Sequence, residues 1–422
     1  MAPTLLFHPL VISTFHQFLF IFIAGFTSAR SILRPLGFIV YLLTTWFSLS
    51  MFDDYVQAPG WVARTVASAF PQISLTFFER MIVRKITFEV HGNNVASGEA
   101  PKGTTTNGNA KGAGSAAKLG PGKISGFRSR YAFGQQVASS MRGLGTPWEI
   151  KHIHHFDSRD PTFLPSRGMF IVRNLLKVVA CYFGHRFCIT TQLNLDHSLM
   201  LPEHVPFLRR IGELSATEVG LRYIATVTTV LSIYCFIQGG YSLGAAASVM
   251  LNSKAIKDWR PIFGDLSDAY CLRNFWATFW HQGLQNNLRG TAAWATSNIF
   301  RLKSYSLASR YMKILIAFFL SGLIHVPSDM GSAVSASESG AIQFFSTQLI
   351  GLMIEDLLGP LFKPLWRTRA GRIIARPLGY FWVITFLAWS GPVRWFPVIR
   401  MQNAETELIG LGAFKPLMKA FS

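Results

Sequence analysis

The chain contains 422 residues, of which 50% are hydrophobic and only 14% are charged. Soluble domains usually contain about 25% charged residues, so this composition excludes an ordinary soluble protein. The net charge of +19 would suggest a nucleic-acid partner in a soluble protein, but here the basic residues lie between apolar runs. This arrangement is typical of the loops of a membrane protein, and we expect no nucleic-acid partner.

Eight apolar runs are candidates for membrane spans, because about twenty apolar residues in a helix match the thickness of a bilayer core. Together they predict an all-α polytopic membrane protein with about eight transmembrane helices. The 31 uncharged residues 223–253 exceed one simple span, so we expect a break or a turn at Gly239-Gly240. In chain order, the runs are 5–29, 35–52, 66–83, 169–190, 223–253, 314–328, 339–362 and 377–393.

The runs predict three regions. Residues 1–83 hold N-terminal transmembrane helices, and residues 169–422 hold the remaining membrane core. Between them lies a loop, 84–168, with 12 Lys and Arg against 5 Asp and Glu, which the charge bias places in the cytosol. Residues 92–126 within it are rich in Gly, Ala, Lys and Thr, so we expect a disordered insertion there.

His325 ends the apolar run that begins at Ile314. An ionisable group inside a membrane segment is expensive, and imidazole suits a general base at neutral pH. The residues alone leave two interpretations open, a catalytic base and a histidine that bridges two helices by hydrogen bonds. Ser321-Gly322, one turn earlier, would let a backbone or a substrate come close.

A second cluster covers residues 272–294, where Trp276, Trp280 and Asn287 recur at helical spacing. This spacing predicts an aromatic face, typical of an amphipathic helix at the membrane interface. His281 and Gln282 are the part that such a helix would not need. The preceding Trp259–Asp265 contains Pro and Gly and is interpreted as a positioning turn at the membrane edge.

Three histidines lie close together in the basic loop, at positions 152, 154 and 155, followed by Asp157. No second ligand group at typical zinc spacing accompanies them, so we expect no metal site.

The motifs resemble those of a known family. Phe275-Trp276, Trp280-His281 and Leu288-Arg289 resemble the Phe-Trp-x-x-x-Trp-Asn…Leu-Arg element of the membrane-bound O-acyltransferase superfamily, in its wax-synthase-like branch. Ser321-Gly322-Leu-Ile-His325 resembles the Ser-Gly-x-x-His element that bears the catalytic histidine of that superfamily. The pattern is most similar to fungal members that acetylate terpenoid or polyketide-terpenoid alcohols in secondary metabolism.

The resemblance implies that an acyl group passes from a CoA thioester to a hydroxyl group in a catalytic tunnel that the helices enclose. His325 would be the general base, and His281 would orient a substrate or stabilise the oxyanion. The implied substrate-binding residues are Trp280, Asn286, Asn287 and Ser321.

The resemblance also implies the partners and the location. Acetyl-CoA, or another acyl-CoA, would be the co-substrate, with no permanently bound cofactor and with the CoA-contacting residues unassigned. The acceptor would be a hydrophobic alcohol, and the protein would be a multi-pass protein of the endoplasmic reticulum membrane.

Three other functions remain open at this stage. A long-chain acyltransferase that makes wax or neutral-lipid esters keeps the reaction and changes the donor. This alternative arises because His281 replaces the usual Asn or Asp, and because Val326 follows the histidine where wax synthases often have an acid. A secondary transporter of hydrophobic metabolites would need paired repeats, and none is evident. A non-catalytic scaffold would not need His281 and His325 to face one cavity.

Overall fold

In the computed structural model, the described residues are 9–50, 60–96, 126–362, 364 and 368–402. Regular structure within these ranges is helical, with no β-strand, which confirms the all-α prediction. The main helices are α1 (Pro9–Phe26), α2 (Leu33–Ser50), α3 (Gly60–Phe77), α4 (Phe88–Ala96), α5 (Phe127–Ser139), α6 (Arg167–Leu193), α7 (Ala216–Met250), α8 (Gln285–Asn298), α9 (Leu307–Met330), α10 (Ala341–Phe362), α11 (Arg369–Ser390) and α12 (Pro392–Arg400).

Five of the described helices, α2, α7, α9, α10 and α11, are long and apolar enough to cross a membrane. Their outer faces expose large apolar side chains such as Leu43, Trp46, Leu357 and Phe381. Such a surface is stable against lipid and costly in water. The protein is therefore a polytopic membrane protein. Helices α1, α3 and α6 coincide with the other three predicted spans, and the total of about eight crossings stays a prediction.

Helix starts follow from local chemistry. Ser166, Ser215, Ser306 and Thr368 each accept a hydrogen bond from the backbone N–H three residues later. This N-cap satisfies one of the donors that a helix leaves unpaired at its first turn, and is worth about 1 kcal/mol. The caps explain why α7, α9 and α11 begin several residues before the apolar runs that indicated them.

The expected break at Gly239-Gly240 is wrong, because α7 continues without interruption from Ala216 to Met250. Each glycine costs a helix about 1 kcal/mol relative to Ala, but α7 packs against α6 along much of its length, the most extensive helix pair described. Gly239 serves this packing, since a Cβ there would lie 3.3 Å from Cys181 Cβ.

The chain forms two compact units, and the first comprises residues 1–48 and 73–151. In this unit α1 and α5 approach so closely that a Cβ on Gly134 would lie 2.2 Å from the Ile21 carbonyl oxygen. Buried Arg34 donates hydrogen bonds to the carbonyl groups of Thr27 (3.1 Å), Met81 (3.2 Å) and Ile86 (2.8 Å). A charged side chain thus satisfies backbone acceptors where the helices end.

The predicted regions 1–83, 84–168 and 169–422 stay a prediction. Helix α4 includes residues 92–96, the beginning of the predicted disordered insertion. Residues 97–125 of that insertion lie outside the described residues.

The second unit comprises residues 49–72 and 152–422. Its apolar core joins α7, α10, α11 and α12 to the irregular segment 269–279. Gly322 on α9 allows close contact with α10, because a Cβ there would lie 2.6 Å from Ile342 Cα. The close approach expected at Ser321-Gly322 is therefore to a backbone, that of α10.

Substitution Gly322→Ala should destabilise the protein by about 1–3 kcal/mol, because the new methyl group meets backbone that cannot rotate away. The matched control is Gly240→Ala in α7, where a Cβ meets no atom within 4 Å. That control should be neutral or stabilising by up to about 1 kcal/mol. Thermal unfolding of the detergent-purified protein measures both, and equal melting temperatures would contradict the close contact.

Candidate active site

The family-like motif does not form one amphipathic helix, so the interfacial-helix interpretation of residues 272–294 is wrong. A short helical turn, Leu272–Asn274, is followed by a π-helical turn, Phe275–Phe279, and the chain becomes extended at Trp280. A 3₁₀ turn, Gln282–Leu284, then leads into α8. Helical spacing predicted a common face, but the break at Trp280 separates the tryptophans from Asn287.

The segment Trp259–Asp265 holds this irregular chain in place. The Gly264 N–H donates to the Phe279 carbonyl (2.9 Å), and the Gln282 N–H donates to the Ile262 carbonyl (3.0 Å). Only glycine fits at 264, because a Cβ would lie 2.4 Å from the Thr278 carbonyl oxygen. The Phe263 ring lies 5.9 Å from the His281 ring, centroid to centroid. These contacts agree with the positioning interpretation of this turn.

The three clustered histidines also lie against this turn. His154 Cε1 would be 2.9 Å from a Cβ on Gly264, and the His152 carbonyl accepts a hydrogen bond from Gln282 Nε2 at 2.8 Å. The loop 152–155 therefore packs beside the segment that carries His281.

Glu355 of α10 satisfies backbone donors at the start of the motif. Its carboxylate accepts hydrogen bonds from the N–H groups of Leu272 and Arg273 and from Trp382 Nε1 at 3.0 Å. Carboxylates are favoured at helix N-termini, where N–H groups have no partner within the helix. Glu355 thus ties the motif to both α10 and α11.

Asp356 is the next residue and forms a second anchor. It accepts hydrogen bonds from Arg273 Nη2 (2.7 Å), Arg310 Nη2 (2.9 Å) and the Tyr311 hydroxyl (3.0 Å). The two acidic side chains therefore connect the motif, α9 and α10.

A cavity of about 60 Å³ lies beside the motif, and His281 and His325 both line it. Most of the remaining lining is aromatic or aliphatic, including Trp276 and Trp280. A water molecule in a cavity needs about 10–15 Å³, so this cavity has room for a few small groups. The structure thus brings together two histidines that are 44 positions apart in the sequence.

His325 is oriented by its own helix. Its Nδ1 hydrogen bonds to the Ser321 carbonyl at 2.6 Å, and because a carbonyl only accepts, Nδ1 carries the proton. This tautomer leaves the lone pair on Nε2. The Phe345 ring packs on the imidazole with 4.5 Å between centroids. The arrangement suits acceptance of a proton at Nε2.

His281 lies in the extended stretch after Trp280, against the rings of Phe263 and Trp280. Burial lowers the pKa of its imidazole to about 4, so the ring is neutral at neutral pH. A neutral imidazole offers one N–H donor and one acceptor. It can donate a hydrogen bond without adding a charge to the cavity.

The other predicted substrate-binding residues divide into two groups. Trp280 lines the cavity and stacks on Phe275 with 5.4 Å between ring centroids. Asn286 and Asn287 are buried in α8 outside the cavity lining, and the Ser321 side chain also lies outside it. The cavity that the two histidines line therefore does not include these three side chains in its wall.

Sequence reasoning missed two polar features of the cavity. Arg394 lines it and is paired with buried Asp329. Trp276 Nε1 donates to Gln348 Oε1 at 3.1 Å, and Gln348 in turn donates to the Ser390 hydroxyl at 3.3 Å. The sequence held a signal for Arg394 and Asp329, because each is a charged residue that directly follows an apolar run with few charges.

Sequence comparisons agree with this geometry. The sequence model of the membrane bound O-acyl transferase family matches residues 259–347, which include both histidines. The chain is 30% identical to acetyltransferase fsoF of Humicola fuscoatra, over 63% of this chain and 67% of that protein. It is 26% identical to acetyltransferase aurG of Calcarisporium arbuscula over 95% of both chains. Acetyltransferase ataH of Aspergillus terreus is 27% identical over 68% of this chain and 95% of its own.

The chain therefore belongs to the membrane bound O-acyl transferase family, together with fungal acetyltransferases. It is an O-acyltransferase embedded in a membrane, and the transporter and scaffold alternatives find no support. No solved structure is significantly similar to the chain.

Substitution Glu355→Gln should lower stability by about 1–3 kcal/mol, since an amide nitrogen would face one of the donors that the carboxylate satisfies. Acyl transfer should fall with it, because Glu355 holds the motif that carries His281. The matched control is exposed Glu203→Gln, which should change neither. Melting temperature and transfer rate of the purified variants measure the effect. A Glu355→Gln protein as stable as wild type would contradict the anchoring role.

Proposed function

We propose that the protein transfers an acetyl group from acetyl-CoA to a hydroxyl of a hydrophobic secondary metabolite, such as a terpenoid or meroterpenoid. The observation that carries the proposal is the single cavity that both His281 and His325 line. The family defines the reaction class, and this cavity supplies a base and a hydrogen-bond donor for it.

In this proposal His325 is the general base. The Ser321 carbonyl keeps the proton on Nδ1, so Nε2 accepts the proton of the acceptor hydroxyl. The alkoxide oxygen attacks the thioester carbonyl carbon as the proton leaves. When the carbon–sulfur bond breaks, the imidazolium returns the proton to sulfur and CoA leaves as a thiol. Direct transfer needs no acyl-enzyme intermediate, because the two substrates are held together.

His281 orients the acceptor or donates to the oxyanion, and its neutral ring can do either. Trp280 contacts substrate from the cavity wall. Ser321 acts through its carbonyl on His325. The proposal that Asn286 and Asn287 bind substrate has less support, because the cavity lining does not include them.

Two observations support acetyl as the transferred group. The similar fungal proteins are named acetyltransferases. The cavity of about 60 Å³ also accommodates the three heavy atoms of an acetyl group. Acetyl-CoA is thus a co-substrate of the proposed reaction, with no permanently bound cofactor. We also propose an endoplasmic reticulum location, which agrees with the family resemblance.

The test supplies labelled acetyl-CoA and palmitoyl-CoA to isolated membranes with a panel of terpenoid alcohols such as farnesol. Wild type should transfer acetyl, and His325→Ala should reduce the rate by about 10²- to 10⁴-fold, since the base is lost. The matched control is His197→Ala. The His197 ring contacts the Gln192 carbonyl at 3.2 Å and lies outside the cavity, so this variant should keep its activity.

Equal activity in His325→Ala and wild type would refute the base. Transfer from palmitoyl-CoA alone would refute the acetyl donor and favour the lipid-ester function.

A further inference from the structure

We propose that Arg394 is a catalytic residue that donates hydrogen bonds to the thioester carbonyl oxygen, where negative charge develops during transfer. Arg394 lies in the first turn of the short helix α12 and outside the segment that the family model matches. This inference rests on the proposed function, because it assigns a role in the same cavity.

The guanidinium is held at one edge by a buried carboxylate. Arg394 Nη2 donates to Asp329 Oδ1 at 2.9 Å, and Nε donates to both carboxylate oxygens at 3.2 Å. The Ser339 hydroxyl also donates to Asp329, at 2.8 Å. Asp329 is 2% exposed and Arg394 is 8% exposed. The pair is fixed in orientation and close to neutral in total charge.

Asp329 does not pair with all of the N–H donors of the Arg394 guanidinium. Nη1 of Arg394 forms no hydrogen bond with any residue in the described ranges, although the side chain lines the cavity. Guanidinium carries five N–H donors and no acceptor, and it stays charged under all ordinary conditions. Its unused donors are therefore available at the cavity for an acceptor atom of a ligand.

The neighbouring residue supports the same conclusion. Trp395 lines the cavity and is buried, and its Nε1 has no hydrogen-bond partner within the described part of the chain. The opposite edge of its indole packs against Gly391, where a Cβ would lie 2.1 Å from Cζ3. Two side chains that line one cavity thus each hold an N–H donor without a partner among the described residues, which suits a ligand atom that accepts hydrogen bonds, such as a carbonyl oxygen.

Arg394 is also close to the proposed base. Its Cζ lies 5.5 Å from the centroid of the Phe345 ring, and the same ring packs at 4.5 Å from the His325 ring. Phe345 thus packs near both the fixed cation and the imidazole, and both of these groups line one cavity. This arrangement provides, within one cavity, a general base and a hydrogen-bond donor for the oxyanion.

The chemistry uses both groups. As the acceptor oxygen bonds to the carbonyl carbon, the electron pair of the carbonyl double bond moves to its oxygen, and Arg394 stabilises that charge. When the pair returns, the carbon–sulfur bond breaks and sulfur takes the proton from His325. Donors that the fold has already placed cost no reorganisation during this step.

The difficulty for a test is that Arg394 is also half of a buried ion pair. Removing one partner leaves a buried charge and destabilises the fold, whereas neutralising both partners is often tolerated. The informative variant is therefore Asp329→Asn combined with Arg394→Met, in which Asn still accepts from Ser339. The control is Arg369→Met at an exposed position of α11. Rates are measured with the alcohol of the panel on which wild type is fastest.

The double variant should keep a melting temperature near that of wild type but lose about 10²- to 10³-fold in kcat, with little change in the KM for acetyl-CoA. A kcat within about fivefold of wild type in the folded double variant would show a purely structural pair and overturn the proposal. If the double variant does not fold, Arg394→Lys decides. Lysine keeps the positive charge beside Asp329 but lacks the planar set of N–H donors of guanidinium, so kcat should fall at least tenfold. Full activity of this variant would overturn the proposal.

The same experiment separates this inference from the proposed function. Both acyl-CoA donors have the same thioester carbonyl. The kcat of each variant is therefore compared with that of wild type using whichever donor wild type accepts. Transfer from palmitoyl-CoA alone refutes the acetyl donor and still tests Arg394. A wild type that transfers neither group overturns the function and this inference together.

Discussion

The irregular backbone between Trp259 and Leu284 must satisfy its hydrogen bonds without a continuous helix, and the rest of the site depends on how it does so. Backbone groups within a membrane protein cannot rely on water, so non-helical chain there has to be paired within the protein. Phe279 and Ile262 supply carbonyl partners, and Glu355 supplies a carboxylate for two N–H groups. Phe279 and Ile262 belong to the segment itself, whereas Glu355 comes from α10, so the start of the motif is held in place only inside the assembled helices.

The few polar groups of the cavity follow the same constraint. His325 is held by the Ser321 carbonyl, Arg394 by Asp329, and Trp276 by Gln348. Each contact fixes an orientation where the surroundings are mostly apolar, and a low dielectric strengthens it. A mostly apolar lining also disfavours water, which would compete with an alcohol for the acyl group. The geometry therefore suits transfer of an acyl group between two bound substrates.

Much of the fold could be predicted from local pattern, and part of the site could be predicted from motifs. Helices coincide with all eight apolar runs, because hydropathy and helix formation depend on neighbouring residues. His281 and His325 were identified because polar groups among apolar residues are conspicuous. Arg394 and Asp329 were not, because a charge at the end of an apolar run is also expected at any membrane interface.

The sequence by itself determined that the chain is helical, that it lies in a membrane and that two histidine motifs resemble an acyltransferase. Only the tertiary structure decided that α7 is continuous through Gly239-Gly240 and that the motif helix breaks at Trp280. It also decided that His281, His325 and Arg394 share one cavity. The physical reason is distance along the chain. Hydropathy and capping act over a few residues, whereas these features depend on contacts between helices that are far apart in sequence.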